Sequence, residues 1–377
     1  MKKFLVMLLA ALMVFSFAAC GGGGSDSGSS ADDTMKVAMV TDYGDITDQS
    51  FNQTTYEACK AFCEANGVEF TYKKPASDAD ADRVSSIEEA IEEGYGVIVM
   101  PGYAFADAIY EVAPLYPDTK FVALDVSEGD LTAYGDREFD GPNVFSAVYQ
   151  EELAGYMAGY AAVKLGYTKL GFLGGMAVPA VQRYGGGFVQ GVDAAAGELG
   201  KSDVEVKYAY GNQFFGDADI TAAMDTWYSK GTECVFACGG GIYTSAAEAA
   251  AKVGGKVIGV DVDQAGIIDG AYGEGMTVTS AMKGLGATVN TLLSAIRDDN
   301  WGEYAGQIKN LGLVSETPAD NYVQLPESTQ WADGFQQADY EQLVKELFSG
   351  ERTVSADTEK IPAVKNIKVD DQGAIKG

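Results

Sequence analysis

The sequence predicts an α/β protein of parallel sheets flanked by helices and divided into two lobes, and three observations predict it. From residue 36 onward, short apolar β-branched runs alternate with longer segments of helical pattern, the beat of strand, crossover helix, strand. That beat breaks over the irregular stretch Glu128 to Pro142 and then restarts. Each series closes its fourth strand on an aspartate, in Phe121-Val-Ala-Leu-Asp125 and Val257-Ile-Gly-Val-Asp261. One carboxylate is thereby placed at the carboxyl edge of each sheet, where open α/β sheets bind ligands.

At the N-terminus, Lys2 and Lys3 precede an apolar segment from Phe4 to Ala18, too short for a membrane span and typical of an export signal. It ends Phe17-Ala18-Ala19-Cys20, small residues directly before a cysteine, which is the pattern of a bacterial lipoprotein cleavage box. Residues 1–19 are then the signal peptide, and Cys20 is the lipid-bearing first residue of the mature chain. The alternative is an ordinary signal peptide with an incidental cysteine. Residues 20–35, rich in Gly, Ser and Asp, read as a flexible tether. The protein is expected on the extracytoplasmic face of the cell membrane, anchored by lipid and not embedded.

Val37 to Val40 have the length and composition of a buried strand, Gly44 punctuates a turn, and Ser50 with Gln53 makes an N-cap and its capping-box partner. The loop held between them presents Asp42, Asp48, Phe51 and Asn52, an aromatic plate beside hydrogen-bonding groups. The plainer alternative is that the two aspartates cap the helix and Phe51 packs in the core. Strands are predicted at 36–41, 68–73, 96–100 and 120–125, with helices near 50–66, 79–93 and 103–116. The second series has strands near 168–173, 204–209, 233–237 and 256–261, and helices near 150–165, 180–199, 218–229 and 243–253. Thr277 to Ser280 is a further strand leading into a helix to about Arg297. Leu311 to Val314 and Tyr322 to Leu325 read as edge structure, and Asp339 to Phe348 as an amphipathic helix.

Composition narrows the function. A content of 47% hydrophobic residues is enough for two lobes with real cores. Without Lys2 and Lys3 the mature chain carries 24 basic against 55 acidic residues, a net charge of −31. Such a field repels nucleic acid and phosphorylated ligands and leaves neutral or cationic ones. Besides Cys20, the cysteines fall as Cys59/Cys63 and Cys234/Cys238. That spacing strains a bridge on a helix and separates the pair by about 13 Å on a strand, so buried free thiols are expected. The chain has no histidine, which disfavours a zinc site and excludes a serine triad or histidine acid chemistry. No phosphate-binding Gly-x-x-x-x-Gly-Lys-Ser/Thr loop occurs, and Gly171 to Gly175 and Gly185 to Gly187 do not fit Gly-x-Gly-x-x-Gly. Asp125 and Asp261 form a conceivable glycosidase pair, but no local motif supports it. No enzyme activity, cofactor or metal is expected.

The order Asp42, Gly44, Asp48, Ser50-Phe51-Asn52-Gln53 resembles the opening motif of the basic membrane protein family, lipoprotein receptors that include purine-nucleoside receptors. Gly174-Gly175-Met176 through Pro179 to Gly187-Phe188 and Gly191, then Ile258 to Gln264, then Thr279-Ser280-Ala281-Met282-Lys283 follow the family's order. The resemblance runs from about residue 36 to residue 325. It implies a fold similar to the type I periplasmic binding proteins, with three chain crossings forming a hinge. Residues 36–143 with 277–300 would form the N-terminal lobe, and 144–276 with 301–377 the C-terminal lobe. It also implies delivery of ligand to the permease subunits of an ABC transporter.

A neutral nucleoside needs aromatic plates, carboxylate acceptors and a donor or two. By resemblance, Phe51 stacks on one face of the base and Phe215 on the other, with Phe214 left possible because the spacing from Gly211 departs from the family. Asp125 accepts from the base, Asp261 takes the ribose hydroxyls and Lys283 donates to ribose or ring acceptors. Asp42 and Asn52 join them from the opening loop, and Gly240 from a tight turn, Gly239 to Gly241, whose N–H groups lie near the sugar. Asp263 and Gln264 are expected to shape a turn. The structural alternatives are that Asp125 and Asp261 cap turns, that one phenylalanine is core and that Lys283 is a solvated charge. Rival readings are a sugar or autoinducer receptor of the same fold and, more distantly, an oxidoreductase. Of the five arginines, Arg83, Arg137, Arg183, Arg297 and Arg352, none lies in a matched binding motif, which argues against amino-acid and phosphate ligands.

Overall fold

Apolar runs bounded by turn residues pair into two sheets, each laid down largely in chain order. The structure, a computed structural model, describes residues 35–42, 44–133 and 138–376; the expected export signal, Cys20, most of the tether and Arg137 lie outside them. The first sheet begins with β1 (Lys36–Val40), followed by α1 (Phe51–Asn66), β2 (Glu69–Lys73), α2 (Asp80–Glu92), β3 (Val97–Pro101), α3 (Ala106–Val112), β4 (Lys120–Leu124), α4 (Glu128–Leu131) and β5 (Val144–Tyr149). Alternation along β1 sends Ala38 and Val40 to the core under α2 and α3, with Ile87 and Ile109. Val37 and Met39 face the other way, to the core under α1, with Cys59 and Phe62.

The second sheet is built from α5 (Glu151–Lys164), β6 (Lys169–Gly174), α6 (Pro179–Glu198), β7 (Glu205–Tyr210), α7 (Ala218–Ser229), β8 (Cys234–Cys238), α8 (Tyr243–Ala251), β9 (Lys256–Asp261), α9 (Ala265–Tyr272) and β10 (Thr277–Lys283). There follow α10 (Leu285–Arg297), β11 (Gln307–Leu311), β12 (Val323–Gln324), α11 (Gln337–Phe348) and β13 (Lys368–Ala374). Strand orders are β11-β5-β4-β3-β1-β2 and β12-β10-β9-β8-β6-β7-β13, parallel throughout except that β12 runs antiparallel to β10. Cys59, Cys63, Cys234 and Cys238 are buried thiols. Among the described residues no helix is long and apolar enough to cross a membrane.

Sheet membership differs from the sequence expectation at three strands. β10 was expected in the N-terminal lobe with the helix after it, yet it pairs with β9 in the second sheet, Ser280 beside Gly259 and Met282 beside Asp261. The reason is burial: six of its seven residues are buried, and Val278 and Ala281 complete the second lobe's core. Only α10 returns to the first lobe, packing Leu285, Val289 and Leu292 against the α1 side. Residues 144–149, assigned from sequence to the C-terminal lobe with no strand predicted there, form β5, which pairs with β4 in the first sheet, and β11 joins it there by pairing with β5. The chain therefore crosses between lobes at Gln150, at Gly284 and between β11 and β12, three times in all.

The glycines of α5 and α6 have a packing explanation. A Cβ on Gly155 or Gly159 would sit 2.1 or 2.3 Å from the carbonyl oxygen of Tyr184 or Phe188. One on Gly187 or Gly191 would sit 2.0 Å from that of Glu152 or Tyr156. Two small-x-x-x-small pairs thus let the helix backbones touch, a contact better known between membrane helices. In the Gly185 to Gly187 cluster, Gly187 serves this crossing and Gly185 leaves room for the Tyr208 hydroxyl and the Phe172 ring beneath it.

Candidate ligand-binding site

Between the carboxyl edges of the two sheets lies a cavity of about 610 Å3, within the range of small-molecule sites. Asp42, Phe51, Asn52 and Asp125 line it from the first lobe; Phe215, Gly240 and Asp261 line it from the second, and Lys283 from the end of β10. All eight residues singled out in the sequence meet there.

Asp48 and not Ser50 caps α1. Its carboxylate accepts from the backbone N–H of Ser50 at 2.9 Å and from those of Asn52 and Gln53 at 3.0 Å each, while Ser50 makes no side-chain cap bond. A carboxylate at a helix N-terminus gains from the charge as well as the bonds, so it displaces the hydroxyl. Ser50 Oγ is thereby released to donate across the cleft to Asp261 Oδ2 at 2.5 Å. A second bond joins the lobes nearby, from Gln264 Nε2 to the Gln49 carbonyl at 3.0 Å. Gln264 also shapes its own turn as expected, its Oε1 accepting from Val260 N–H at 2.9 Å.

Lys283 is a buried charge, with its side chain 3% exposed. Its Nζ lies 2.6 Å from Asp125, 3.4 Å from Glu151 and 3.8 Å from Asp261. The ring of Phe51 is 4.6 Å away. Those three carboxylates hold its ammonium well above the usual lysine range despite burial. Burial pushes Asp261 and Glu151 upward, with Lys283 opposing, and Arg183 Nε clamps Glu151 at 2.6 Å. Asp125 and Asp261 both have left-handed backbones, φ 62° and 64°, a strained conformation repeated at the same place in the two sheets.

Phe214 and Phe215 both line the cavity and differ in how they are packed. Phe214 packs over Gly175 and Gly239, whose added Cβ atoms would meet its ring at 2.4 and 2.8 Å. Phe215 is 60% exposed and lines the cavity. At Gly240, φ is 52° and a Cβ would lie 2.8 Å from the Phe214 carbonyl oxygen, so glycine is required. The N–H of Gly241 is occupied by that same carbonyl at 2.8 Å and is not available to a ligand, contrary to expectation. Asn52 Oδ1 and Asp125 Oδ1 are buried without a hydrogen-bond partner among the described residues.

Arg183 corrects the sequence reading, which placed no arginine at the site. It lines the cavity from the first turns of α6, drawn inward by Glu151. Its signal was positional: it comes soon after Pro179 in the helix that leaves the carboxyl edge of β6. Tyr103, Tyr184, Lys74 and Asp130 also line the cavity, and Tyr103 occupies the turn after β3 as Asp42 does after β1. In total six aspartates face three cations, all three already paired, so the cavity favours neutral or cationic ligands.

Residues 35–346 match the family model described as Bmp, ABC transporter substrate-binding protein PnrA-like. The chain belongs to this family. A curated Bmp relative, the CD4+ T-cell-stimulating antigen of Listeria innocua, is 30% identical, covering 82% of this chain and 87% of its own. The ABC transporter nucleoside-binding protein BmpA of Lactococcus lactis subsp. cremoris is 31% identical over 61% of this chain and 64% of its own. Among solved structures, an ABC transporter solute-binding protein from Aeropyrum pernix superposes with a TM-score of 0.64 at 21% identity, covering 86% of this chain and 88% of its own. The Bmp assignment and the type I binding-protein fold bear out the resemblance read from the motifs. As a Bmp protein the chain is an ABC transporter substrate-binding protein and not an enzyme.

Proposed function

We propose that this Bmp protein captures a nucleoside, foremost a purine nucleoside, between its lobes and delivers it to an ABC permease from a lipid anchor at Cys20. One observation carries the reading: aromatic rings from opposite lobes, Phe51 and Phe215, face a cavity whose polar groups are acceptors with capacity left, Asp125 Oδ1 and Asn52 Oδ1. A purine base offers flat faces to such rings and N–H donors to such oxygens. The Lactococcus relative, by its name a nucleoside-binding protein, supports the same ligand class. Arg183 in the cavity is the feature a sugar receptor would share, but its Nε is bonded to Glu151.

Calorimetry with a ribonucleoside and its 2′-deoxy analogue tests the assignment. Asp261→Ala should weaken the ribonucleoside by about 1.5–3 kcal/mol, roughly ten- to hundredfold, and the deoxy analogue far less, because a charged acceptor pairs with particular hydroxyls. Phe51→Ala should weaken both alike, since stacking does not sense the sugar. Equal losses for Asp261→Ala with the fold intact would remove it from the ribose. Binding of sugars and of no nucleoside would overturn the ligand class. For the anchor, Cys20→Ala should move the protein from the detergent phase to the aqueous phase with ligand binding unchanged; retention in the detergent phase would refute it.

A further inference from the structure

The family model ends at residue 346, and the chain beyond that point is built onto the second lobe in a way the binding cleft feels. Arg352 pins the start of the segment, bonding Glu346 at 2.5 Å and Glu198 at 2.8 Å. The chain then crosses α6, where Gln190 exchanges two bonds with the backbone of Ser355, at 2.9 and 3.0 Å. β13 next adds a parallel edge to β7, its Ala374 opposite Tyr210. Tyr210 is also where the cleft loop 211–217 departs, carrying Phe214 and Phe215.

The last described residues close on that loop. Asn212 Nδ2 donates to the Lys376 carbonyl at 2.5 Å, and the Lys376 ammonium binds both the Asp217 carboxylate and, at 3.3 Å, Gln213 Oε1. Gln213 in turn donates to the Phe215 carbonyl and to Asp217 Oδ2, each at 2.9 Å. With its ring 60% exposed, Phe215 takes its position mainly from its backbone. On one side that backbone is held by the Gly241 N–H on the Phe214 carbonyl; on the other it is fastened through Gln213 and Asp217, and so through Lys376.

We propose that residues 352–376 are a strap that fixes the Phe215 loop, with Lys376 as a positioning residue for ligand capture. The inference rests on Phe215 as a ligand-contacting ring, the reading given above. A fixed loop presents the ring without first having to be ordered, and preorganisation of this kind raises affinity without a new contact.

The test uses the full chain and inosine as probe. Lys376→Gln should weaken inosine about three- to fivefold, the range of a partly exposed ion pair, and Lys376→Arg should restore binding to within about twofold. In a Phe215→Ala background, Lys376→Gln should make no further difference. Hydrogen exchange, which needs no ligand, should quicken at residues 212–217 in Lys376→Gln while β7 stays protected. An equal loss with and without Phe215, or unchanged exchange in the loop, overturns the strap. If inosine fails to bind the wild type, the nucleoside reading falls and the exchange result alone decides the strap.

Discussion

Gly191→Ala should destabilise the protein by about 3 kcal/mol, at the upper end for an overpacked core, read as a lower denaturant midpoint with an unchanged slope. The added methyl would sit 2.0 Å from the Tyr156 carbonyl oxygen and 2.9 Å from the Tyr160 amide nitrogen. Both are backbone atoms of α5 and cannot turn aside as a side chain would, so the helices must part. Parting them also disturbs the cleft, because α5 begins with Glu151 and α6 carries Arg183 and Tyr184. Gly186→Ala is the control on the same helix. Its methyl would make ordinary contacts, Pro362 at 3.5 Å and the Asp357 carbonyl oxygen at 3.9 Å, and alanine is the better helix former by about 1 kcal/mol. That variant should be as stable as the wild type or more so. Equal stabilities for the two variants would refute the close crossing.

The strands β1, β3, β4, β6, β8 and β9 were legible because strands buried on both faces are short apolar runs, although β5, just as apolar and buried, was not read as a strand. Which sheet a strand joins is another matter. Thr277–Lys283 carries no local mark of whether it pairs with β9 or crosses first, since pairing is decided by the edge on offer. β13, Lys-Val-Asp-Asp-Gln-Gly-Ala, escaped notice because it is exposed on nearly all its length and needs only the backbone edge of β7. At the site, Asp42, Asp125 and Asp261 were readable because each ends an apolar run at a carboxyl edge. Glu151 was not: a glutamate in a helix's first turn is ordinary on a solvated surface, and only the fold shows it fully buried between Arg183 and Lys283. Ser50 misled as well. Its spacing to Gln53 fits a capping box, but Asp48, weighed from the sequence as the alternative cap, folds back onto the same N–H groups.

Lys283→Met should cost about 3–5 kcal/mol at pH 8, the penalty for stranding buried charge, and distinctly less at pH 5. Methionine keeps the volume and removes the ammonium that stands among Asp125, Glu151 and Asp261. In the wild type the lysine is held above its usual range, so its contribution is complete below that range and constant between pH 5 and 8. In the variant, Asp261 and Glu151, already pushed upward by burial, lose the charge that opposed the push. They take up protons as the pH falls, while the unfolded chain's carboxylates stay ionised until about pH 4. The folded state then binds more protons than the unfolded one, and stability must rise as pH falls. Glu152, pushed up to about 7 by burial, gives wild type and variant the same sense of slope, so the difference between them isolates the lysine. Denaturant unfolding of both proteins at pH 5 and pH 8 makes the measurement. A loss equal at the two pH values would mean that the protonation of these carboxylates does not depend on Lys283.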